Sequence, residues 1–431
     1  MAMMHRRSLM KGALAALPLA MMWRGTARAA GFGPLVPDPD GVLDLPEGFT
    51  YRIVETVAGA MDDGYLVPGA PDGMACFDGP AGTLILLRNH ELNTSGQGPY
   101  NPGQTAPVQA YDAAALGGVT RVVVDGTTGE RISSNLVLVG TIRNCAGGIS
   151  PWGWLSCEET TVANHGWVFV CPTDATSVRP PQRIPAYGRF SHEAAAVDKH
   201  KKIAYLTEDE GNSCFYRFVP DVPSAPFLGQ LQALKVVGVN KLDTANGHEV
   251  GATWDIEWVD IDSPDPAGTT VRALGQAQGA AIVKRGEGLW LDDGLVYVCS
   301  TTGGPAGKGQ IFCLDPDGDG GTLTLLAQSP GAEQLDMPDN ICVAPNGDLF
   351  MAEDGPGDNF LRVLHADGTI SDFARNALSD SELAGCCFSP KGDLLFVNIQ
   401  GDGLTLAIRG PFEDHGGGGG GGGGCSGHHI R

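Results

Sequence analysis

The sequence predicts an all-β fold, because three of its features are typical of many short strands joined by tight turns. The chain has 431 residues, of which 42% are hydrophobic, so it can bury a large core. Its apolar runs are short and rich in β-branched and aromatic residues, and 63 glycines and 29 prolines help to separate them. After the N-terminus, no long segment has the periodicity of an amphipathic helix.

The N-terminal segment predicts a signal peptide, which we leave out of the fold. Residues 1–29 contain the adjacent Arg6 and Arg7, an apolar stretch too short to span a bilayer, and a small-x-small cleavage site that ends at Ala29. The arginine pair resembles a twin-arginine signal, with an ordinary Sec signal as the alternative. We therefore expect the twin-arginine export machinery as a partner and a periplasmic or secreted protein. No later segment predicts a stable membrane anchor.

An internal repeat predicts the architecture. Six segments share one pattern, in which a polar turn leads into an apolar strand of about five residues that ends in a polar or acidic cluster. The equivalent Asp348 and Asp393 of the two most similar copies are 45 residues apart, a normal length for a four-stranded propeller blade. We therefore predict a β-propeller of about six blades with insertions, the longest between Leu206 and Val296, with a pair of β-sandwiches as the alternative. The six segments are residues 79–91, 150–159, 198–211, 291–304, 344–355 and 389–403.

The chain divides into three predicted regions. Residues 1–29 are the signal peptide, and residues 30–410 are predicted to form the propeller as one catalytic domain. Residues 411–431 include nine consecutive glycines, which have no side chains to pack. This last region is therefore predicted to be a flexible tail.

The charge balance excludes one class of partner. The chain carries 50 acidic and 28 basic residues, for a net charge of −22 at pH 7, and the first 30 residues contain five of the basic groups and no acidic ones. A protein this acidic is not expected to bind nucleic acid. Its excess of carboxylates is either solvated or partly neutralised by bound cations.

Acidic residues at the predicted strand ends indicate a metal site. A propeller brings strand ends from all its blades to one mouth, so carboxylates that are distant in sequence can converge there. Buried like charges need a countercharge, and few lysines or arginines lie near these positions. Metal ions are the natural counterions. The candidate ligands are Glu91, Glu159, Glu193, Glu287 and Asp339.

A thiol joins these carboxylates in the segment NCAGGISPWGWLSCEE, residues 144–159. Carboxylates suit hard ions such as calcium, whereas a thiolate suits a softer or redox-active metal such as iron or zinc. We expect the glycines after Cys145 to let the backbone approach closely and to expose the thiol. The alternatives are a disulfide, such as one with Cys157, and a buried apolar thiol. Since the chain has eleven cysteines, at least one is left outside any intramolecular disulfide.

The segment just described and several others resemble one enzyme family. In chain order the others include LPEGFTYRIV, LRNHE, GRFSHEAAAVD, EGLW, GQIFCLDP and MPDNICVAPNGDLFMAEDG. Together, from about Leu45 to Asn398, they resemble the PhoX-type alkaline phosphatases, which are exported by the twin-arginine route. The resemblance implies a six-bladed propeller with ferric and calcium ions (Fe3+ and Ca2+), bridged by an oxo group, that hydrolyses phosphate monoesters.

The same resemblance implies roles for individual residues. It places the iron-binding cysteine at Cys145, a phosphate contact at Asn144 and the phosphate-binding arginine at Arg285. Strand spacing agrees at one point, because residues i and i+2 share a face, so that Arg285 and Glu287 can point into one pocket. For the ligand at the end of SCEE, Glu158 is the alternative to Glu159. The metal carboxylates implied by the resemblance are Glu91, Glu159, Glu193, Glu287 and Asp339.

Other interpretations remain open for the function and for some polar residues. The first alternative to a phosphatase is a calcium-dependent propeller lactonase, and the second is a non-catalytic propeller that binds a partner. The chain lacks G-x-S-x-G, H-E-x-x-H and G-x-x-x-x-G-K motifs. We expect His90, His192 and His248 to be structural or to support ligands rather than to act as bases. Residues 209–210 are interpreted as a surface turn.

Overall fold

A computed structural model of the chain describes residues 31–412. The predicted signal peptide and residues 413–431 of the predicted tail lie outside the described residues. In residues 31–412, no helix is both long enough and apolar enough to cross a membrane.

Strands make up nearly all the regular structure of the described residues. The exceptions are one short helix, α1 (Val271–Ala277), and short 3-10 turns such as those at Pro80–Gly82 and Pro185–Tyr187. The strands are β1 (Leu35–Val36), β2 (Leu43–Pro46), β3 (Thr50–Thr56), β4 (Pro71–Asp78), β5 (Thr83–His90), β6 (Gly117–Asp125), β7 (Arg131–Thr141), β8 (Asn144–Ser150), β9 (Gly153–Glu158), β10 (Val168–Cys171), β11 (His192–Val197), β12 (Ala204–Glu208), β13 (Tyr216–Pro220), β14 (Gly229–Val236), β15 (Thr253–Ile261), β16 (Gly286–Asp292), β17 (Leu295–Ser300), β18 (Gln310–Asp317), β19 (Gly320–Gln328), β20 (Pro338–Val343), β21 (Leu349–Glu353), β22 (Phe360–Leu364), β23 (Ile370–Asn376), β24 (Leu383–Phe388), β25 (Leu394–Ile399) and β26 (Leu404–Arg409).

The strands form six antiparallel blades, which confirms the prediction of an all-β propeller. Blade one is β4–β7, blade two β8–β10, blade three β11–β14, blade four β16–β19 and blade five β20–β23. Blade six is β24–β26 completed by β3 from the N-terminal part of the chain. The first strands of the blades contact one another in a closed ring, in the order β4, β8, β11, β16, β20 and β24. We call them the inner strands.

The six repeated sequence segments are the second strands of the six blades, namely β5, β9, β12, β17, β21 and β25. Most of their residues are buried, as in the run LLFVNI of β25. A second strand lies inside its blade and is covered by neighbouring blades on both faces, so it reads as a continuous apolar run rather than an alternating one. This feature made the second strands recognisable in the sequence.

Extra elements occupy the places where the repeat is uneven. In the long interval between Leu206 and Val296, β15 pairs with both β14 and β19 and so joins blades three and four into one nine-stranded sheet. Helix α1 lies in the same interval. In the neighbouring blade five, β2 pairs with β23 and extends the sheet, and β1 pairs with β2.

Aromatic packing fastens both ends of the described chain to the core. Phe32 and Phe49, near its start, lie edge-to-face against Phe373 with ring centroids 5.0 Å apart. Phe412, its last residue, packs on Phe49 and Phe388 at 5.0 and 5.1 Å. Such contacts stabilise a fold beyond their buried area alone. The packed part of the chain therefore runs to Phe412, two residues beyond the predicted domain boundary at residue 410.

Candidate metal centre

All six inner strands carry a β-bulge near their start. In each blade two residues are left out of the ladder, for example between Pro71 and Met74 in β4 and between Asn144 and Gly147 in β8. A bulge bends the strand and re-aims the side chain of an unpaired residue. The first unpaired residue of each bulge, in blade order, forms a set that we call the inner ring. Its members are Asp72, Cys145, Glu193, Glu287, Asp339 and Gly385.

A second set of side chains comes from the residue that follows each second strand. We call it the outer ring, and its members in blade order are Glu91, Glu159, Asp209, Thr301, Asp354 and Gln400. In every blade the backbone N–H of this residue donates to the carbonyl of the residue just before the inner strand, at 2.8 to 3.3 Å. The six blades therefore present equivalent positions to one end of the propeller, which we call the mouth.

The two rings, together with Glu382 just before inner strand β24, supply three clusters of metal-ligating atoms. Within each cluster, one donor atom from every residue lies within 4.8 Å of the others. All six residues predicted as metal ligands belong to these clusters, so the structure brings them together, and their role as ligands stays a prediction. The clusters are Cys145, Glu159 and Glu193; Glu193, Glu287 and Asp339; and Asp72, Glu91 and Glu382.

Burial makes this group of carboxylates electrostatically costly. It raises the pKa of Glu159 and of Asp339 to about 8 and, with neighbouring carboxylates adding to the effect, raises the pKa values of Asp72, Glu193 and Glu287 well above their usual range. Two buried oxygens, Asp72 Oδ1 and Glu193 Oε1, have no hydrogen-bond partner among the described residues. Bound cations would satisfy both the charge and the unpartnered oxygens, so the residues present fit a metal centre.

The thiol of Cys145 is buried, with 3% of the residue exposed, so the prediction that it would be exposed was wrong. Its Sγ lies 3.3 Å from the backbone oxygen of His192. Burial, together with Glu193 and Glu159, raises the pKa of this thiol well above its usual value. A cation would be needed to hold it as a thiolate.

The two glycines after Cys145 bring its strand close to both neighbours. A Cβ at Gly147 would lie 1.9 Å from the oxygen of Leu155, and one at Gly148 would lie 1.6 Å from the oxygen of Ala195. The expected close approach is therefore present. Cys145 and Cys157 are both free thiols, so the structure does not contain the alternative disulfide between them.

Arg285 lies in the mouth, as the spacing predicted. Its Nε and Nη2 donate to Asp209 at 2.8 and 3.0 Å, and Nη2 also donates to Glu287 at 2.9 Å. The interpretation of residues 209–210 as a surface turn was therefore wrong for Asp209, whose side chain is largely buried against this guanidinium.

A second arginine in the mouth was missed by sequence reasoning. Arg143 donates through Nη2 to Glu159, and its Nε lies 2.9 Å from Oε1 of Glu91. It precedes inner strand β8 just as Arg285 precedes β16. The equivalence of the two positions was not visible in the sequence, because the inner strands are interrupted by bulges and share no common apolar pattern.

Asn144 is fully buried at the start of β8. Its Oδ1 accepts a hydrogen bond from Thr141 at 2.5 Å, and its Nδ2 donates to Ser156 at 2.8 Å. Nearby, Asn89 Nδ2 donates to the backbone oxygen of Cys145 at 2.9 Å. These bonds fix the backbone that carries the thiol, and the phosphate contact implied for Asn144 stays a prediction.

The structure separates the adjacent Glu158 and Glu159. The Glu158 carboxylate is fully buried and accepts hydrogen bonds from His165 Nδ1 at 2.6 Å and from the backbone N–H of Ile142, Gly166 and Trp167 at 2.9 to 3.2 Å. Glu159 points the other way, into the cluster with Cys145. Glu158 therefore has its hydrogen-bonding capacity filled by the protein.

The three histidines singled out in the sequence make structural contacts, as expected. His90 bonds to the backbone of Gly69 and to Thr120, both at 2.9 Å. His192 bonds to the oxygen of Gly188 at 2.9 Å, and burial lowers its pKa to about 3. His248 bonds to a backbone oxygen at 3.0 Å in the interval between blades three and four.

Other residues of the mouth were also missed. Asp72 and Glu382 complete the third cluster with Glu91, and Gln400 donates to both Asp72 and Glu91 at 3.0 and 2.9 Å. One signal could have found Asp72, because Pro71-Asp72-Gly73 matches Pro338-Asp339-Asn340 at the start of another inner strand.

Comparisons with known proteins show the family through a family model and the fold through a solved structure. The family model described as alkaline phosphatase PhoX matches residues 30–403, and no curated protein sequence matches the chain. A solved structure of PhoX from Pseudomonas fluorescens, in complex with vanadate as a transition state analogue, is similar with a TM-score of 0.69. It is 19% identical and covers 91% of this chain and 98% of that one. A gluconolactonase from Xanthomonas campestris has a TM-score of 0.45 at 15% identity, over 90% and 100% of the two chains.

The family match covers the whole propeller except the last part of blade six. It includes every residue of the three clusters and both arginines of the mouth. The chain therefore belongs to the PhoX family of alkaline phosphatases, which are phosphoric monoester hydrolases.

Proposed function

We propose that this member of the family hydrolyses phosphate monoesters at a centre of ferric and calcium ions in the propeller mouth. One observation carries the proposal: the mouth gathers a thiol and seven carboxylates into three contiguous clusters and sets arginines beside them. A phosphate ester needs positive charge around it, and arginines alone are too few to neutralise this group of acids.

The donor chemistry assigns the ions to clusters. Cys145, Glu159 and Glu193 offer sulfur and oxygen together, which suits iron. The two clusters built only from carboxylates suit calcium, a hard ion that takes oxygen ligands. When bound, such ions act as Lewis acids toward the phosphate and help to generate a nucleophile at neutral pH.

The protein's own side chains orient the substrate and balance its charge. The planar guanidinium of Arg285 can meet two phosphate oxygens and neutralise the charge that develops on them in the transition state. Asp209 holds that guanidinium through two hydrogen bonds, which fixes its plane. The amide of Asn144 is held by Thr141 and Ser156 and would contribute a further polar contact.

Metal analysis combined with one substitution tests this proposal. We expect protein purified from its native compartment to contain iron and calcium together. Cys145→Ser should lose iron, and its hydrolysis of an aryl phosphate should fall more than about 100-fold, a loss of roughly 2.7 kcal/mol or more in transition-state stabilisation. Cys157→Ser is the matched control, because Cys157 is an equally buried thiol on the adjacent strand and belongs to no cluster.

The same measurements distinguish the alternatives. Calcium without iron, with lactone hydrolysis and no phosphatase activity, would favour the lactonase. Iron-free protein without either activity would favour a non-catalytic propeller. Retention of iron and activity by Cys145→Ser would show that the thiol is structural, and zinc alone would contradict the iron–calcium centre.

We also propose that the protein is exported by the twin-arginine route to the periplasm or beyond. The support is the Arg6-Arg7 pair in residues 1–29, and this route carries folded proteins, which allows metals to be loaded before export. Replacement of both arginines by lysine should leave the precursor in the cytoplasm, as measured by cell fractionation. Lysine keeps the charge but lacks the guanidinium group. Unchanged export of the double variant would indicate the Sec route.

A further inference from the structure

We propose that Arg143 is a second phosphate-binding residue, which faces Arg285 across Glu193 and receives the phosphate once cations have taken its carboxylate partners. The inference rests on the proposed function, because it names a second recognition element of the same site.

Arg143 and Arg285 occupy equivalent positions in blades two and four. The N–H of Arg143 donates to the oxygen of Leu92 at 2.9 Å, and the N–H of Arg285 donates to the oxygen of Glu210 at 3.0 Å. Each of these acceptors directly follows the outer-ring residue of the preceding blade. The two arginine backbones are therefore held in the same way.

Both arginines also share an unusual conformation. Their φ angles are 50° and 49°, in the left-handed region that a side chain with a Cβ seldom adopts. Such a conformation costs free energy and persists only where the surrounding structure enforces it. The same strained geometry thus projects a guanidinium into the mouth from two blades, and in each case it reaches an outer-ring carboxylate of the preceding blade, Glu91 or Asp209.

Arg143 and Arg285 both engage Nε and Nη2 with carboxylates, and Arg143 is the more exposed of the two. Arg285 donates from Nε and Nη2 in three hydrogen bonds to Asp209 and Glu287. Arg143 donates from Nη2 to Glu159, its Nε is paired with Glu91 at 2.9 Å, and its Nη1 has no hydrogen-bond partner among the described residues. Its side chain is also more exposed, at 39% against 29%. The guanidinium of Arg143 is thus accessible and has donors to offer an anion.

The blade order places the two arginines on either side of Glu193, because Arg143 precedes β8, Glu193 lies in β11 and Arg285 precedes β16. Arg143 is paired with Glu159, a donor of which lies within 4.8 Å of Glu193. Arg285 is paired with Glu287, which also lies within 4.8 Å of Glu193. An anion bound above Glu193 can therefore be approached by one arginine from each side.

Metal binding would release Arg143 for this role. Glu159 belongs to the cluster with Cys145 and Glu91 to the cluster with Asp72, so cations in these two clusters compete with the guanidinium for both of its carboxylates. The positive charge of Arg143 is then no longer neutralised, and a phosphate is the anion that its planar fork fits best. Phosphate binding should therefore follow metal binding and depend on it.

The test measures binding of inorganic phosphate by calorimetry to metal-loaded and metal-free protein. We expect the loaded wild type to bind phosphate and the metal-free protein not to bind it. In Arg143→Lys and Arg143→Gln the Kd should rise about 10- to 100-fold, with a similar rise in KM for phosphate monoesters of neutral alcohols and unchanged metal content. Arg375→Lys and Arg375→Gln are controls, because Arg375 is 36% exposed and is likewise paired with two carboxylates, Asp44 and Asp358, outside the mouth.

Three results would overturn the inference. They are an unchanged phosphate Kd in both Arg143 variants, a loss of metal in both, and an effect limited to substrates whose leaving group is itself anionic. Failure of the proposed function has a different signature, since loaded wild type would then hydrolyse no phosphate monoester. Arg143-dependent binding of phosphate by such a protein would still support the second site.

Discussion

At the scale of single residues, the adjacent side chains of Glu158 and Glu159 lie in different environments. Glu158 is satisfied by three backbone N–H groups and His165, whereas Glu159 joins Cys145 in a cluster that lacks a countercharge beyond Arg143. Strand alternation explains the difference, because consecutive residues point to opposite faces. The sequence could narrow the metal ligand at the end of SCEE to Glu158 or Glu159. The hydrogen-bond and ion-pair partners seen in the structure then favour Glu159.

Glutamine substitutions should separate these environments. Glu158→Gln loses charge-assisted hydrogen bonds in a buried site, so the free energy of unfolding should fall by about 2 to 4 kcal/mol while metal content persists. Glu159→Gln removes one of several buried like charges, so the metal-free protein should be at least as stable as wild type, but its metal content should fall. Urea unfolding of metal-free protein and elemental analysis measure both effects. A stable Glu158→Gln protein that lacks metal would reverse the assignment.

At the scale of elements, second strands could be predicted and inner strands could not. The second strands are apolar runs between a turn and a polar cluster, a pattern that is visible in a single sequence. The inner strands lack a common apolar pattern, and some are rich in glycine, as in NCAGGIS of β8. Their function depends on bulges, which are defined by pairing with another strand and so leave no reliable mark in one sequence.

The same difference explains which site residues were found. Outer-ring members such as Glu91 and Glu159 end recognisable strands. Inner-ring members such as Cys145 and Asp339 were candidates from the sequence and received specific roles from the family resemblance, whereas Asp72 was missed although it occupies an equivalent bulge. Arg143 was missed because its position before an inner strand became meaningful only when the blades were aligned in space.

At the scale of the whole molecule, the acidic mouth should make metal-free stability fall as pH rises. Burial raises the pKa of Glu159 from 4.5 to about 8 and that of Asp339 from 3.8 to about 8. Between about pH 4 and 8 the folded protein therefore binds more protons than the unfolded chain, so the free energy of unfolding declines across this window and its protonation-linked part is lost above pH 8.

Urea denaturation in the presence of a chelator at pH 5, 7 and 9 measures this effect. We expect a loss of several kcal/mol from pH 5 to 9, and we expect added metal to restore more stability at pH 9 than at pH 5, because cations then replace the missing protons. A metal-free protein that is most stable at pH 9 would contradict the electrostatic description of the mouth.

The closure of blade six has a consequence for biosynthesis. Strand β3, from residues 50–56, pairs with β26, from residues 404–409. The first of the blade strands to be synthesised therefore has no partner until the last one has been made. A growing polypeptide on the ribosome therefore cannot complete the ring until nearly all of it has been translated. The third cluster imposes the same delay, because Asp72 and Glu91 come from blade one and Glu382 directly precedes blade six. Loading of the proposed metal centre would thus be a post-translational event that follows closure of the propeller.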